Sequence, residues 1–523
     1  MRIFDFLKYS PRKEKESFFI PEYKAPQQPS GESGNISENV NEARKKFEQF
    51  FRADRNSDII IRDFTAADGT RGFVVCIDGM VRSDSINEFI LKPLTESDSL
   101  RRDNIADIVQ INSVSRAATY SDAVSGVLMG DTAVIAEGCG FALVCETKGF
   151  DRRSVGKPEN ESSIMGSKEA FSESIRTNTT LIRKIIKSDK LVSEFVQVGN
   201  LTGNYCAVMY MDGLANPALV REVKERLSGI DCDFVSGSGM VEQFIEDGAY
   251  RILPGILSTE RPDTAALHLC QGRVAVVVDG TPFVLIMPVG VTNFIKSAED
   301  SNLRWQYATL LRVIRFFSII IAMLLPGMFI AVVNFHRGMI PTDLLIAIAK
   351  SQENVPFPAV FEILILEISF ELIREAGVRV PGAVGNTIGI VGGLILGQSA
   401  VTAGIVSPVV IIVIAFTVIA NFAIPDYSFS FGIRLLRLGF IALAAFLGFF
   451  GIGIGLMIAG LVASQSSFGV GMLSPEAPKT KSRANVLYNP PVWKKRFRPD
   501  ELNPSDIENQ PKNSRKWRKN YER

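Results

Sequence analysis

Four glutamates, Glu362, Glu367, Glu371 and Glu375, with Arg374 among them, are the residues of this chain best suited to chemistry, because the sequence around them is otherwise apolar. On a helix Glu367, Glu371 and Glu375 recur every four residues and share one face, whereas Glu362 is turned well off it. A glycine-rich apolar run follows, Gly382 to Gly397, in which Gly385, Gly389 and Gly393 keep a four-residue spacing. Ionisable groups among membrane-length apolar segments are costly unless they face water or a partner, so they mark a functional path. Two readings of the acidic segment stay open: an interfacial helix with its carboxylates in solvent, or a helix that lines an aqueous path and offers carboxylates to permeating cations. Arg374 and Arg379 can pair with the acids, which would make the cluster structural. The glycine spacing suits close helix approach, or a small-residue face around a symmetry axis that leaves room for a pore. The candidate pore or gating residues are therefore Glu362, Glu367, Glu371, Glu375, Arg374, Gly385, Gly389 and Gly393.

These residues need membrane elements to hold them. Charge nearly vanishes after Phe316 in long runs. Phe316 to His336 is long enough for one span of about 20 residues, with Pro326-Gly327 near its middle. Val380 to Pro425 is charge-free and too long for one span, so it reads as two with a tight turn. The expected spans lie near 316–336, 382–398, 401–424 and 438–463, with an acidic amphipathic helix at 357–375 that gives five or six crossings if it also inserts. Four spans put both ends on one side. Arg304, Arg312 and Arg315 before the first span, and Lys479 to Arg498 after the last, make that side cytoplasmic, although Arg434 and Arg437 sit in the loop before the fourth span. Met1 to Ser30 holds no continuous apolar core, so the spans themselves are expected to direct insertion.

The charged part before the spans repeats itself. Gly72 to Met80 is echoed by Ala207 to Leu214, each an apolar strand running into an Asp-Gly turn and then a helix pattern. Gly130 to Val144 aligns without a gap to Gly272 to Ile286, both reading as hairpins turned by Glu137-Gly138 or Asp279-Gly280. The fold class expected is an α/β soluble N-terminal region of two similar tandem subdomains followed by an all-α multi-pass transmembrane domain. The boundaries are a mobile polar segment 1–56, subdomains 57–150 and 190–310 joined by a helical connector 151–189, a transmembrane domain 311–475 and a basic polar tail 476–523. Trp493 to Arg498 in that tail can rest on anionic lipid.

Composition and motifs exclude other classes. With 57 basic and 56 acidic residues there is no broad basic surface for nucleic acid. Six cysteines lack zinc-type spacing and read as reduced core thiols. The two histidines, His268 in a strand pattern and His336 at the end of the first span, make no metal site. Neither a phosphate-binding Gly-Lys-Ser/Thr loop nor a nucleophile elbow is present, so no enzyme and no cofactor is expected.

Several blocks, in this order and spacing, resemble the A-subunit family of spore germinant receptors, the GerA-type spore germination proteins. They are Gln271 to Phe283, Leu325-Pro326-Gly327, Met339 to Thr342, Val355 to Pro358, Phe370 to Gly377, and Gly389 to Gly393 leading to Gly397-Gln398. The connector departs from the family's arginine-rich stretch, reading Glu161 to Lys168 without arginine, and Gly469 to Pro475 lacks an aromatic often seen there. The resemblance implies a non-enzymatic, multi-pass protein of the spore inner membrane. It also implies a transporter-like B subunit and a lipoprotein C subunit as partners, and a homo-oligomer of A subunits around a nutrient-gated path for monovalent cations. A membrane-anchored ligand-binding or scaffold module is the alternative. A secondary transporter would show inverted repeats among the spans, and none is evident.

Overall fold

Runs of β-branched residues such as Val274–Val278 are buried along their whole length, and the helices that bury them decide the architecture. The structure, a computed structural model, describes residues 34–149, 156–248, 250–379, 397–477 and 487–511, with Phe18, Ile20, Pro21 and Ser514 besides. Strands β1 (Ile59–Thr65), β2 (Arg71–Ile77), β3 (Val114–Ala117), β4 (Thr132–Ala136) and β5 (Ala142–Cys145) form one antiparallel sheet in the order β1-β2-β4-β5-β3. Strands β6 (Leu191–Val198), β7 (Asn204–Met211), β8 (Leu257–Thr259), β9 (Val274–Val278) and β10 (Val284–Met287) form a second in the order β6-β7-β9-β10-β8. The register repeats as well: Val74 faces Val134 in the first sheet, and the residues the sequence equates with them, Val208 and Val276, face each other in the second. The turn glycines Gly138 and Gly280 adopt φ of 76° and 83°, values that a side chain would make costly.

Both faces of each sheet are covered. Helices α1 (Val40–Phe51) and α2 (Tyr120–Leu128) lie on one face of the first sheet, where Phe47 meets Phe73 and Tyr120 at ring distances of 5.8 and 5.5 Å. The segment read as a mobile arm to residue 56 thus contains a helix; its buried Val40, Ala43, Phe47 and Phe51 form one apolar stripe among charged neighbours, so a stretch that is polar on average still has a face to bury. Helices α3 (Ile175–Ile185), α4 (Pro217–Ser228) and α5 (Pro262–Leu269) flank the second sheet. His268 lies in α5 and not in a strand, because Pro262 starts a helix at its first position and Ala265, Ala266 and Leu269 supply the buried stripe. The connector segment 160–167 wraps the fully buried Arg261, which donates to the carbonyls of Glu161 (3.2 Å) and Ser167 (3.0 Å) and to Ser163 Oγ (2.7 Å). All six cysteines are free, and burial pushes the thiols of Cys76, Cys145 and Cys206 up to about 12, leaving them inert.

Arg183 joins the two sheets. Its guanidinium, 2% exposed, pairs with Asp58 just before β1, and donates to Asn56 Oδ1 (2.9 Å) and to the Leu191 carbonyl of β6 (3.1 Å).

The helical region comprises α6 (Trp305–Ile330, continued by a wider turn Ala331–Phe335), α7 (Thr342–Gln352), α8 (Ala359–Arg379), α9 (Pro408–Phe422) and α10 (Tyr427–Ala463). Two helices among the described residues, Trp305–Phe335 and Tyr427–Ala463, are long and apolar enough to cross a membrane. The helix that carries the span expected near 316–336 begins earlier, at Trp305, because Asp300 neutralises Arg312 and Arg315, so these charges do not end it. The span expected near 401–424 shrinks to the 15-residue α9, since Gly404 at φ 66° and Pro408 break the run; at about 22 Å it is shorter than a bilayer core. The span expected near 382–398 falls outside the described residues apart from its last two.

The last span also differs from expectation. Helix α10 starts at Tyr427, where Asp426 accepts the Phe429 N–H at 2.7 Å, and Gly448 at φ 57°, ψ −136° breaks it. A Cβ on Gly455 would strike the ring of Phe440, so the two arms fold back on each other. Phe429 and Ile433 of the first arm and Val462 of the second pack in one cluster with strands of the second sheet, which places both feet of this hairpin on the α/β region. Its bend meets the far end of α6, where the Phe449 ring lies 4.9 Å from that of His336.

The basic tail returns to the second sheet unit over residues 487–511, in place of the mobile end expected from its composition. Leu502 is buried in that unit's core and Asn489 donates to the Asp300 carbonyl at 3.1 Å, so its asparagines serve as side-chain hydrogen-bond partners.

Replacing Arg183 with Ala should cost about 3–5 kcal/mol, because it leaves the Asp58 carboxylate buried and unpaired. Thermal denaturation of the purified chain would show this, whereas Arg183→Met with Asp58→Leu should recover much of the loss.

Candidate functional site

Helix α8 forms where Pro358 ends an extended Pro-rich stretch and its carbonyl accepts the N–H groups of Phe361 (2.9 Å) and Glu362 (3.3 Å). Its buried positions Ala359, Glu362, Ile363, Leu366 and Glu367 follow helical spacing. Two glutamates therefore sit on the stripe that packs inward, with Glu362 0% and Glu367 5% exposed. Glu371 and Glu375, one and two turns on, are exposed.

Each buried acid has a specific partner. Glu362 Oε2 accepts the backbone N–H of Ser407 at 2.6 Å. Ser407 precedes the first turn of α9 and does not cap it with its own side chain, so the Glu362 carboxylate supplies the negative charge that a helix N-terminus favours. Glu367 pairs with Arg437 of α10 at 2.6 Å, both side chains about 5% exposed. Glu371 receives Arg434 Nη1 at 2.9 and 3.1 Å and is also paired with Arg374. The order Glu367 to Arg437 and Glu371 to Arg434 runs in opposite chain directions, so the two helices are antiparallel across this ladder.

The sequence reading placed Arg434 and Arg437 in a loop and did not assign them to the acids. The signal was present: arginines three apart in an apolar helix pattern match glutamates four apart. Arg379 was the other candidate partner, and its side chain lies outside the described atoms, as do Gly385, Gly389 and Gly393.

The cluster keeps unspent polar capacity. Glu362 Oε1, Glu367 Oε1, Ser407 Oγ, Arg437 Nε and Nη1 and Arg434 Nη2 are buried without a hydrogen-bond partner among the described residues. Buried polar atoms normally find protein or water partners, so this set suits bound water more than dry packing. Among the described residues no group of three or more His, Cys, Asp or Glu is placed to hold a metal.

Comparison with known proteins gives this geometry a context. Residues 45–501 match the family described as Bacillus/Clostridium GerA spore germination protein. The chain belongs to the GerA family. Spore germination protein KA of Bacillus subtilis (strain 168) is 37% identical over 492 residues, covering 92% of this chain and 89% of that protein. An uncharacterized membrane protein of the same organism, YfkQ, is 37% identical over 449 residues, 85% of this chain and 88% of that one. The crystal structure of the N-terminal domain of the A subunit of the Bacillus megaterium spore germinant receptor GerK3 aligns with 49% of this chain and 96% of that one, at 32% identity and a TM-score of 0.39. For this GerA-family chain, the acid and arginine ladder lies in the helical region that follows the α/β part.

Exchanging the partners tests the ladder. Glu367→Arg or Arg437→Glu alone should lower the melting temperature of the detergent-purified chain, each leaving like charges buried. The double exchange should regain most of the loss, as a direct pair coupled by about 0.5–3 kcal/mol requires.

Proposed function

We propose that this chain is a membrane subunit of a spore germinant receptor, which triggers germination by forming or gating an oligomeric ion pathway. It is multi-pass, lies in the spore inner membrane with its N- and C-terminal regions cytoplasmic, and is not an enzyme. Its partners are a transporter-like B subunit, a lipoprotein C subunit, further copies of itself, lipid and monovalent cations. The observation that carries this reading is the Glu367–Arg437 pair, buried between α8 and α10, the second of which shares a core with the second sheet.

With both acids paired to arginines, the carboxylates are neutralised and not offered to a cation. Stranding one partner of the buried Glu367–Arg437 pair costs about 3–5 kcal/mol, whereas the exposed Glu371 adds far less. A two-state gate needs about 5.5 kcal/mol to pass from 1:99 to 99:1. A single pair is therefore large enough to set most of a gate's closed bias, and nutrient binding at a partner would need to offset a comparable amount. In the open state Glu367 and Glu371 would face the path that they leave when paired.

Spores carrying Glu367→Gln with Glu371→Gln, which lose the path-facing carboxylates and also the charge that biases the gate closed, should leak monovalent cations before nutrient addition and release them more slowly after it, at unchanged receptor abundance; flame photometry of the medium reads this out, and unaltered release in both phases would refute the pathway.

One observation favours a second reading, a ligand-binding module. A cleft of about 640 Å³ between the first sheet unit and α3 is lined by Asp78, Lys157, Lys168, Arg176 and Lys184, among others. Arg176 pairs with Asp78 and Lys184 with Glu169, whereas Lys157 and Lys168 have no ion-pair partner among the described residues. The volume is that of a small-molecule site. Calorimetric titration of the full chain with acidic nutrients should show saturable binding that Lys157→Gln with Lys168→Gln abolishes; a flat titration would remove this reading.

A further inference from the structure

The junction where the second sheet unit, the start of α6 and the returning tail meet gathers more positive charge than it neutralises. Asp300 accepts Arg312 at 3.2 Å and Arg315 at 2.8 and 3.0 Å. Arg273, 2% exposed, donates only to neutral acceptors: the Pro288 carbonyl (2.8 Å), His268 Nδ1 (2.9 Å), Gln271 and Asn293. Because Nδ1 accepts that bond, His268 is neutral, and burial with the nearby charges of Arg273 and Lys296 pushes its pKa well down. The ammonium groups of Lys296 and Lys495 make no ion pair or hydrogen bond among the described residues. Lys296 is exposed to solvent.

Among the described residues five cations, Arg273, Lys296, Arg312, Arg315 and Lys495, lie about the carboxylates of Asp300 and Glu501, with Asp500 next to the latter in the chain. Glu501 Oε2 and Arg312 Nε are buried without a hydrogen-bond partner among the described residues.

We infer that this crevice binds a phosphate group, resting on the membrane reading above for its favoured source, the headgroup of an anionic phospholipid. Two features point to phosphate. The Lys296 and Lys495 ammonium groups and the unpartnered Arg312 Nε, coming from three separate elements, match an anion with several acceptor oxygens better than a planar carboxylate. Arg315 also directly precedes the charge-free run that opens at Phe316, which sets the crevice at headgroup height. An adjoining cleft of about 300 Å³, with Asp300, Trp305, Pro491 and Trp493 in its walls, offers the mixed apolar and polar lining that the glycerol region of a lipid needs.

The test uses the full-length chain in neutral detergent, titrated with short-chain phosphatidylglycerol, phosphatidylcholine and inorganic phosphate, with binding read by native mass spectrometry. Phosphatidylglycerol should bind saturably and more tightly than phosphatidylcholine. Lys296→Gln with Lys495→Gln should weaken it by about twenty-five-fold, since each cation near a lipid phosphate contributes on the order of a factor of five. Lys296→Arg should retain binding, and Lys45→Gln on the distant α1 should change nothing. Binding of inorganic phosphate in place of the lipid, lost in the same double variant, would support the site and name free phosphate as its source. Equal binding by wild type and double variant, with Lys296→Arg folded and unaltered, would overturn the inference. Because the readout is binding to purified protein, a normal cation-release phenotype would count against the ion pathway and leave this site standing.

Discussion

A charge taken out of water needs a partner, and in this molecule that requirement recurs at every joint. Arg183 with Asp58 holds the two sheet units together, Arg312 and Arg315 with Asp300 hold α6 to the second unit, and Arg437 with Glu367 holds α10 to α8. The desolvation penalty is several kcal/mol per ion, so such pairs add little net stability over an apolar filling. Their effect is on alternatives: any arrangement that separates the partners strands a charge in a low-dielectric site. The joints are thereby selective where apolar contact alone would tolerate sliding.

Much of the α/β region was legible in the sequence because its signals are local. Asp-Gly and Glu-Gly turns, a gapless echo of two hairpins and alternating apolar runs fix strands and their neighbours within a few dozen residues. The register, with Val208 opposite Val276 as Val74 is opposite Val134, follows from the same repeat. The helical region was read less well for a physical reason. Arg434 looked like a loop charge because the residue that neutralises it, Glu371, is 63 positions away. The same logic hid the true start of α6, whose arginines are answered by a carboxylate outside the helix. Helix α1 was missed differently: its apolar stripe is clear, but it lies in a strongly charged stretch that composition alone assigns to a solvated arm.

The acids at Glu362, Glu367 and Glu371 were recognisable as unusual, and what the sequence left open was their company. Glu362 turned out to serve the N-terminus of α9, a role that depends on Ser407 arriving 45 residues later. Position on a helical wheel set it apart from the other three, whereas burial divides the four differently, with Glu362 and Glu367 inward and Glu371 and Glu375 exposed.

The hairpin of α10 has both feet in the core of the second sheet and its bend at Gly448 against the end of α6. Each arm acts as a rod of up to about 30 Å, at about 1.5 Å per residue. A tilt of about 3° at the feet then carries the bend about 1.5 Å sideways, the scale on which packed helices change partners. Rotation too small to disturb a single strand pairing in the sheet would be magnified by this lever into a displacement at the far end of α6.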